Sequence, residues 1–287
     1  MPKASINGVQ IYYEEVGSGT PLLFLHEFAG DYRSWEDQLR FFARRYRCIT
    51  YSARGYPPSD VPSKPEQYSQ DHSIADAVGL LDHLKIAKAH LCGLSMGSFT
   101  ALYTGLRHPG RCLSLTVAGG GSGAGAGRAE FLAGSQARAQ ALLKGGMPAI
   151  AEDMSLGPTR IQLHHKDKLG WETFKRQFLE HSGPGSAYTL LGVQRQRPDL
   201  FTLGAELRAC TLPALIILGD EDAPGFEGML HAHRSMPRAG LAVFPKSGHA
   251  VNLEEPELFN RTVLDFLTAV EAGDWGPRDP KALAGTH

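Results

Sequence analysis

Apolar residues recur along the chain in two alternating rhythms. Short, mostly apolar runs at 22–25, 48–51, 89–92, 113–118, 214–218 and 241–244 have the length of strands, and those at 22–25 and 214–218 read as buried on both faces. Between them, apolar residues fall three and four apart. Trp35, Leu39 and Phe42 form one such set, Ile74, Val78, Leu81 and Leu84 a second, and Phe259, Val263, Phe266 and Val270 a third. Each set lays one face of a helix against a core, and helices are also predicted at 98–107 and 225–236. Asn7-Gly8 is a hairpin signal that joins a short first strand to a second at 9–13. Alternating strand and helix units predict an α/β fold: a mostly parallel central sheet with helices on both faces.

The strand rhythm stops at about residue 122 and resumes after 207. In the gap, helices are predicted at 131–143, 171–181 and 187–194, so roughly four helices form a cap inserted into the core. This gives a core of 1–121 and 208–272, a cap of 122–207, and a loose tail over 273–287. The cap holds more apolar residues than short surface helices need: Leu132, Met147, Met154, Leu163, Trp171, Phe174, Phe178 and Tyr188. Together they predict an apolar pocket facing the core.

Composition narrows the function classes. The chain has 287 residues and 42% hydrophobic content, enough for a large α/β core. Net charge is -1 and no long basic run occurs, which argues against nucleic acid as a partner. No apolar targeting region or membrane-spanning run is present, so no membrane association is expected. Cys48, Cys92, Cys112 and Cys210 lie in or beside predicted strands without metal-type spacing. They read as reduced, buried thiols in a cytoplasmic protein. His164-His165 and the pair His231 and His233 lack the companions of a zinc motif and read as solvated. Gly121, Gly123 and Ala126 mimic the loosest dinucleotide fingerprint, but no second strand with a terminal acid follows. The glycines read as a hinge into the cap. No cofactor and no metal are expected, and homo-oligomerisation is left open.

The chemistry sits at the ends of three predicted strands. Gly93-Leu94-Ser95-Met96-Gly97 lies between an apolar run and a helix, the setting in which G-x-S-x-G becomes a sharp turn presenting its serine. The run at 214–218 leads into Gly219-Asp220-Glu221-Asp222, and that at 241–244 leads to His249. A serine hydroxyl becomes nucleophilic when an imidazole removes its proton. A carboxylate fixes the imidazole tautomer and stabilises the imidazolium that forms.

Ser95, the acidic cluster and His249, in that order, resemble the α/β-hydrolases of the compact, capped type, from Ile6 to about Ala272. The family's G-[DE]-x-D pattern implies Asp222 as the triad acid and Asp220 as a hydrogen-bond acceptor that orders the loop. The resemblance also implies an oxyanion hole from the amides of Met96 and Phe28. Leu25-His26-Glu27-Phe28-Ala29-Gly30 resembles the family's H-G-x-x-G loop, in which the histidine is a brace and not the base. Glu27 departs from it. A glutamate there resembles dienelactone hydrolases, although those use cysteine and this chain has Ser95. Glu27 is expected to turn away and brace the loop, with steering of a polar substrate as the alternative. Arg54-Gly55-Tyr56-Pro57-Pro58-Ser59 resembles the R-G-x-G-x-S loop with one glycine replaced, and Ser52 stands where aspartate is common.

The implied activity is hydrolysis of a small carboxylic ester, lactone or thioester through an acyl-enzyme. The alternatives are C–C bond hydrolysis of a β-diketone-like ring-cleavage product, or a low-turnover ligand-binding protein on the same fold. The substrate is expected to be a small molecule, apolar or of mixed polarity, contacted by His26, Glu27, Trp171 and Phe178.

Overall fold

The computed structural model describes residues 2–283. Its single sheet contains β1 (Lys3–Ile6), β2 (Val9–Val16), β3 (Thr20–Leu25), β4 (Tyr46–Tyr51), β5 (Ala89–Leu94), β6 (Cys112–Ala118), β7 (Ala214–Gly219) and β8 (Ala239–Phe244). The strand order is β1-β2-β4-β3-β5-β6-β7-β8. Asn7 and Gly8 both take positive φ, as a tight hairpin turn requires, and fold β1 antiparallel onto β2. β2 is antiparallel to β4, and the remaining pairings are parallel.

Helices α1 (Glu36–Phe42), α2 (Gln70–His83) and α3 (Met96–Arg107) connect the first parallel strands. Between β6 and β7 come α4 (Arg128–Gly145), α5 (Pro148–Leu156), α6 (Ile161–Lys166), α7 (Lys168–Leu179), α8 (Gly183–Tyr188) with a wider turn over Thr189–Gln194, and α9 (Gly204–Ala209). Then α10 (Ala223–Ser235) joins β7 to β8, and α11 (Val251–Glu254), α12 (Pro256–Ala272) and α13 (Pro280–Leu283) follow.

Successive side chains of a strand face opposite ways, so the apolar runs feed two cores. Leu23 and Leu25 of β3 join Ile49, Leu91, Leu102 and Met229 on the face covered by α2, α3 and α10. Leu22 and Phe24 join Trp35, Phe42, Phe259 and Phe266 on the face covered by α1 and α12. Each such fully buried side chain contributes about 1.5–3 kcal/mol, which fixes the strands in register and holds their C-terminal ends in a row.

Among the described residues no strand lies between Ala118 and Ala214. The glycine loop therefore leads from β6 into successive helices, not into a second βαβ unit. The insertion holds more helices than expected. α6 is too short to carry a periodic signature, α5 turns Met147, Ile150, Ala151 and Met154 onto one apolar cluster, and Gly157-Pro158 separates the two helices. Leu200 and Leu207, inside the expected bounds 122–207, are fully buried in the sheet core with Ile216.

The expected loose tail is pinned over its first part. The Trp275 indole donates to the Arg238 carbonyl (2.9 Å) and packs edge-on against Phe266, while Arg278 donates to the Met236 carbonyl (3.0 Å). The rest of that expectation, 284–287, lies outside the described residues. Three histidines expected to be solvated are packed instead: His164 edge-on to Trp171, His231 stacked on Phe201, and His233 against the Arg278 guanidinium. The four cysteines are buried and unpaired. Among the described residues no helix is long and apolar enough to cross a membrane.

Candidate active site

Ser95 occupies the single residue between β5 and α3, with φ 52° and ψ -112°. Positive φ in a non-glycine residue costs on the order of 1–3 kcal/mol and persists only where neighbours enforce it. Here the Ser95 N–H donates to the Ala118 carbonyl (2.8 Å), and the Ser98 hydroxyl donates to the Ser95 carbonyl (2.6 Å). The flanking glycines provide clearance. A Cβ on Gly93 would overlap the Gly97 carbonyl, and one on Gly97 would overlap the Leu25 and His26 carbonyls. The first turn of α3 can therefore press against both β5 and the end of β3.

Two hydrogen bonds run on from Ser95. His249 Nε2 is 2.8 Å from Ser95 Oγ, and His249 Nδ1 is 2.8 Å from Asp222 Oδ2. A carboxylate can only accept, so Nδ1 carries the proton and Nε2 presents its lone pair to the serine. Burial alone would push the His249 imidazole down. The field and hydrogen bond of Asp222 outweigh it and hold the imidazole above its ordinary value. Glu27 adds to this rise and Arg160 opposes it.

The acidic cluster divides by direction. Exposed Asp220 accepts from the Ser247 amide (3.1 Å) and ties the acid loop to the histidine loop. Backbone N–H groups of Lys246 and Ser247 lower its pKa. Glu221 accepts from Gln162 of α6. Asp222, buried at the start of α10, is the acid that reaches His249. Glycine is needed at 219 because a Cβ there would overlap the Ser247 and Gly248 carbonyls.

The loop after β3 closes the other side. His26 Nε2 accepts from the Ala53 N–H (2.9 Å), which leaves Nδ1 to donate to the Glu27 carbonyl (2.6 Å). Burial lowers the His26 pKa to about 4, so the ring is neutral near pH 7 and bolts this loop to the end of β4. Phe28 and Met96 are both buried here. Met96 opens α3, so its N–H has no acceptor within the helix and lies at the positive end of the helix dipole.

Glu27 is also buried, and its Oε2 accepts from the guanidinium of Arg160, which is itself fully buried. Arg160 stacks over the Phe174 ring at 4.5 Å. No local pattern marks Arg160 as the partner of a residue 133 positions away. Glu254 was likewise missed. Its carboxylate accepts from the Gly248 and Ala250 amides and so brackets His249 on both sides. An acid five residues beyond His249, at the end of a short helix, is the signal that could have flagged it.

The two expected aromatic contacts share one apolar cluster. Phe178 is fully buried and joins Phe28, Met96, Leu142, Met147 and Leu163 over the elbow, and Trp171 packs partly buried against the same cluster. The Trp171 indole donates to the Ser155 carbonyl, its ring packs on His164, and Lys175 Nζ lies 5.3 Å from its centroid. These contacts also hold α7 to α5 and α6. In the R-G loop, Arg54 makes a bidentate bond to Asp76 (2.6 and 2.8 Å) and Ser59 donates to the Ser52 carbonyl, both structural ties.

A family model described as the alpha/beta hydrolase fold matches residues 20–256. The chain is 32% identical over 280 residues to a dihydrolipoyllysine-residue acetyltransferase component of an acetoin cleaving system from Pseudomonas putida, covering 92% of this chain and 68% of that protein. It is 26% identical to 3-oxoadipate enol-lactonase 1 of Acinetobacter baylyi, over 87% of this chain and 89% of the relative. Among solved structures, a thermophilic esterase from Thermogutta terrifontis superposes with a TM-score of 0.84 at 25% identity, covering 94% of this chain and 98% of the other.

Proposed function

The chain belongs to the α/β-hydrolase family, and on that premise we propose that it is a serine hydrolase of small carboxylic esters or lactones, working through an acyl-enzyme. The observation that carries this reading is the bonded line Asp222–His249–Ser95, with both steps 2.8 Å, ending on a strained serine at the elbow. The names of an enol-lactonase and an esterase among the relatives support the substrate class.

In this mechanism Ser95 Oγ attacks the carbonyl carbon while His249 Nε2 takes its proton. Asp222 stabilises the imidazolium, and the Phe28 and Met96 amides receive the developing oxyanion. Collapse breaks the C–O bond, and His249 returns the proton to the departing alkoxide. Water, deprotonated by His249, then attacks the acyl-enzyme and releases the acid. For a lactone the two products remain one molecule.

Substrate choice belongs to the helical segment after residue 122. Its apolar cluster with Phe28 and Met96 favours an apolar acyl or alcohol group next to the reacting carbonyl. The four unpaired buried thiols support a reducing compartment, and we place the protein in the cytoplasm on that ground. The test is pre-steady-state hydrolysis of an activated acetate ester, followed by steady-state assay of short esters, lactones and ring-cleavage dienoates. A burst equal to the enzyme concentration and turnover of an ester or lactone are expected. Turnover of dienoates alone would shift the reaction to C–C cleavage, and no burst with no turnover would leave a binding protein.

A further inference from the structure

We propose that Arg160 is a positioning residue for the reaction, holding the Glu27 carboxylate paired and turned aside so that the Phe28 amide can receive an oxyanion. The inference rests on the serine-hydrolase reading above. Glu27 directly precedes Phe28, and its side chain is only 3% exposed. A buried carboxylate beside a developing oxyanion opposes catalysis, because a transition-state anion and a fixed anion repel in a medium that screens poorly. Two like unit charges roughly 6 Å apart in a medium of effective dielectric constant about 20 repel strongly enough to cost about a hundredfold in rate.

Three observations point to Arg160 as the group that removes this cost. It is fully buried, and its guanidinium donates to Glu27 Oε2. Glu27 Oε1 and Arg160 Nε have no partners of their own, so this one contact carries the pairing. Both charges act on the His249 imidazole with opposite sign, which places the pair within reach of the reacting groups.

Arg160 is not what secures its helix. α6 is tethered independently by Gln162 to Glu221, and by Lys166 to Ser247 Oγ (3.1 Å) and Glu255 (2.6 Å). Phe174 also packs against the Arg160 guanidinium. The groups that bear on His249 are Asp222, Glu27 and Arg160, with Glu254 bonded to the amides on either side. Removing Arg160 leaves an uncompensated anion among them, and removing Glu27 as well restores neutrality.

The experiment compares wild type, Arg160→Met, Glu27→Gln and the double variant on an activated ester, with fluorophosphonate labelling of Ser95 and thermal melting in parallel. Arg160→Met is expected to lose about a hundredfold in kcat with KM changed less than about threefold. The acid limb of its pH profile should move to higher pH, since a cation that opposes His249 protonation is gone. The double variant should recover to within about fivefold of wild type, with the limb returned. Wild-type kcat in Arg160→Met, or a loss that the double variant does not recover while both remain folded, overturns the proposal. Should Arg160→Met fail to fold, Arg160→Lys decides: the retained charge predicts kcat within about tenfold of wild type, and a hundredfold loss there overturns it. Absence of Ser95 labelling in wild type would overturn the hydrolase reading and this inference with it.

Discussion

Replacing Asp222 by asparagine separates the proposed triad acid from its two acidic neighbours. Asp222 Oδ2 lies 2.8 Å from His249 Nδ1 and can only accept, which leaves the Nε2 lone pair facing Ser95 Oγ. An asparagine amide at that point donates to Nδ1 instead. The ring proton then moves to Nε2, where it faces the serine and cannot take its proton. The imidazolium also loses its adjacent anion. In a serine–histidine–aspartate arrangement this change costs about ten-thousandfold, or about 5 kcal/mol of transition-state stabilisation. Asp222 lifts the His249 pKa against burial, so its removal lets that pKa fall. The acid limb of kcat/KM should move to lower pH while the plateau drops. Asp220→Asn is the control: Asp220 is exposed and accepts from the Ser247 amide, and an amide oxygen can still do so. Its kcat/KM should stay within about tenfold of wild type. The assay is kcat/KM on an activated ester across the pH range, with thermal melts to establish folding. A severe Asp220→Asn beside a nearly silent Asp222→Asn would refute the reasoning.

Other expectations follow from the same geometry. His26 titrates at about 4 in the folded chain against 6.5 in the open chain, so as pH falls the unfolded state takes up the proton first. The stability this neutral histidine provides is complete above 6.5 and erodes as pH falls toward 4, by about 3 kcal/mol at full extent. Denaturant unfolding across that interval should show a shallower loss in His26→Asn, and equal slopes would remove the linkage. Gly97→Ala places a methyl group against the Leu25 and His26 carbonyls, so the variant should melt lower and label poorly at Ser95; full activity would contradict the packing account. Met147→Ala and Ile150→Ala thin the apolar cluster over the elbow and should change ester chain-length preference about tenfold or more. Labelling of Ser95 by a small reagent should change less than about twofold, and a parallel loss of both would assign these residues to stability.

The sequence makes legible what has a local signature. The apolar runs ending at Leu25, Leu94, Ala118, Gly219 and Phe244 are strand ends, and the elbow, the acidic cluster and His249 each follow one of them. A strand buried on both faces is mostly apolar, with paired exceptions such as His90 and Ser114, and the positions where the elbow presses on its neighbours are Gly93 and Gly97, so both features appear in one dimension. Long-range partners leave no such trace. Nothing near Glu27 announces Arg160, and Glu254 is one acid among several until the chain folds it against the amides flanking His249. α6 runs only six residues, too short for a stripe, whereas α5 does carry one, with Met147, Ile150, Ala151 and Met154 at helical spacing on the apolar cluster over the elbow. Trp171 shows the opposite case: a large apolar residue signals burial but not all its neighbours, and here it meets Ser155 and His164 as well as the cluster that holds Phe178.

The most direct test of the central claim is covalent labelling of the intact protein with a fluorophosphonate, read by mass spectrometry of the whole chain and its peptides. One adduct per chain is expected, on the peptide containing Ser95, with none in Ser95→Ala and a labelling rate that falls with protonation of His249. Ser95→Ala should also lose several orders of magnitude in ester turnover while melting like wild type. An adduct that persists in Ser95→Ala, or a Ser95→Ala variant that still turns over esters at the wild-type rate, would contradict the account.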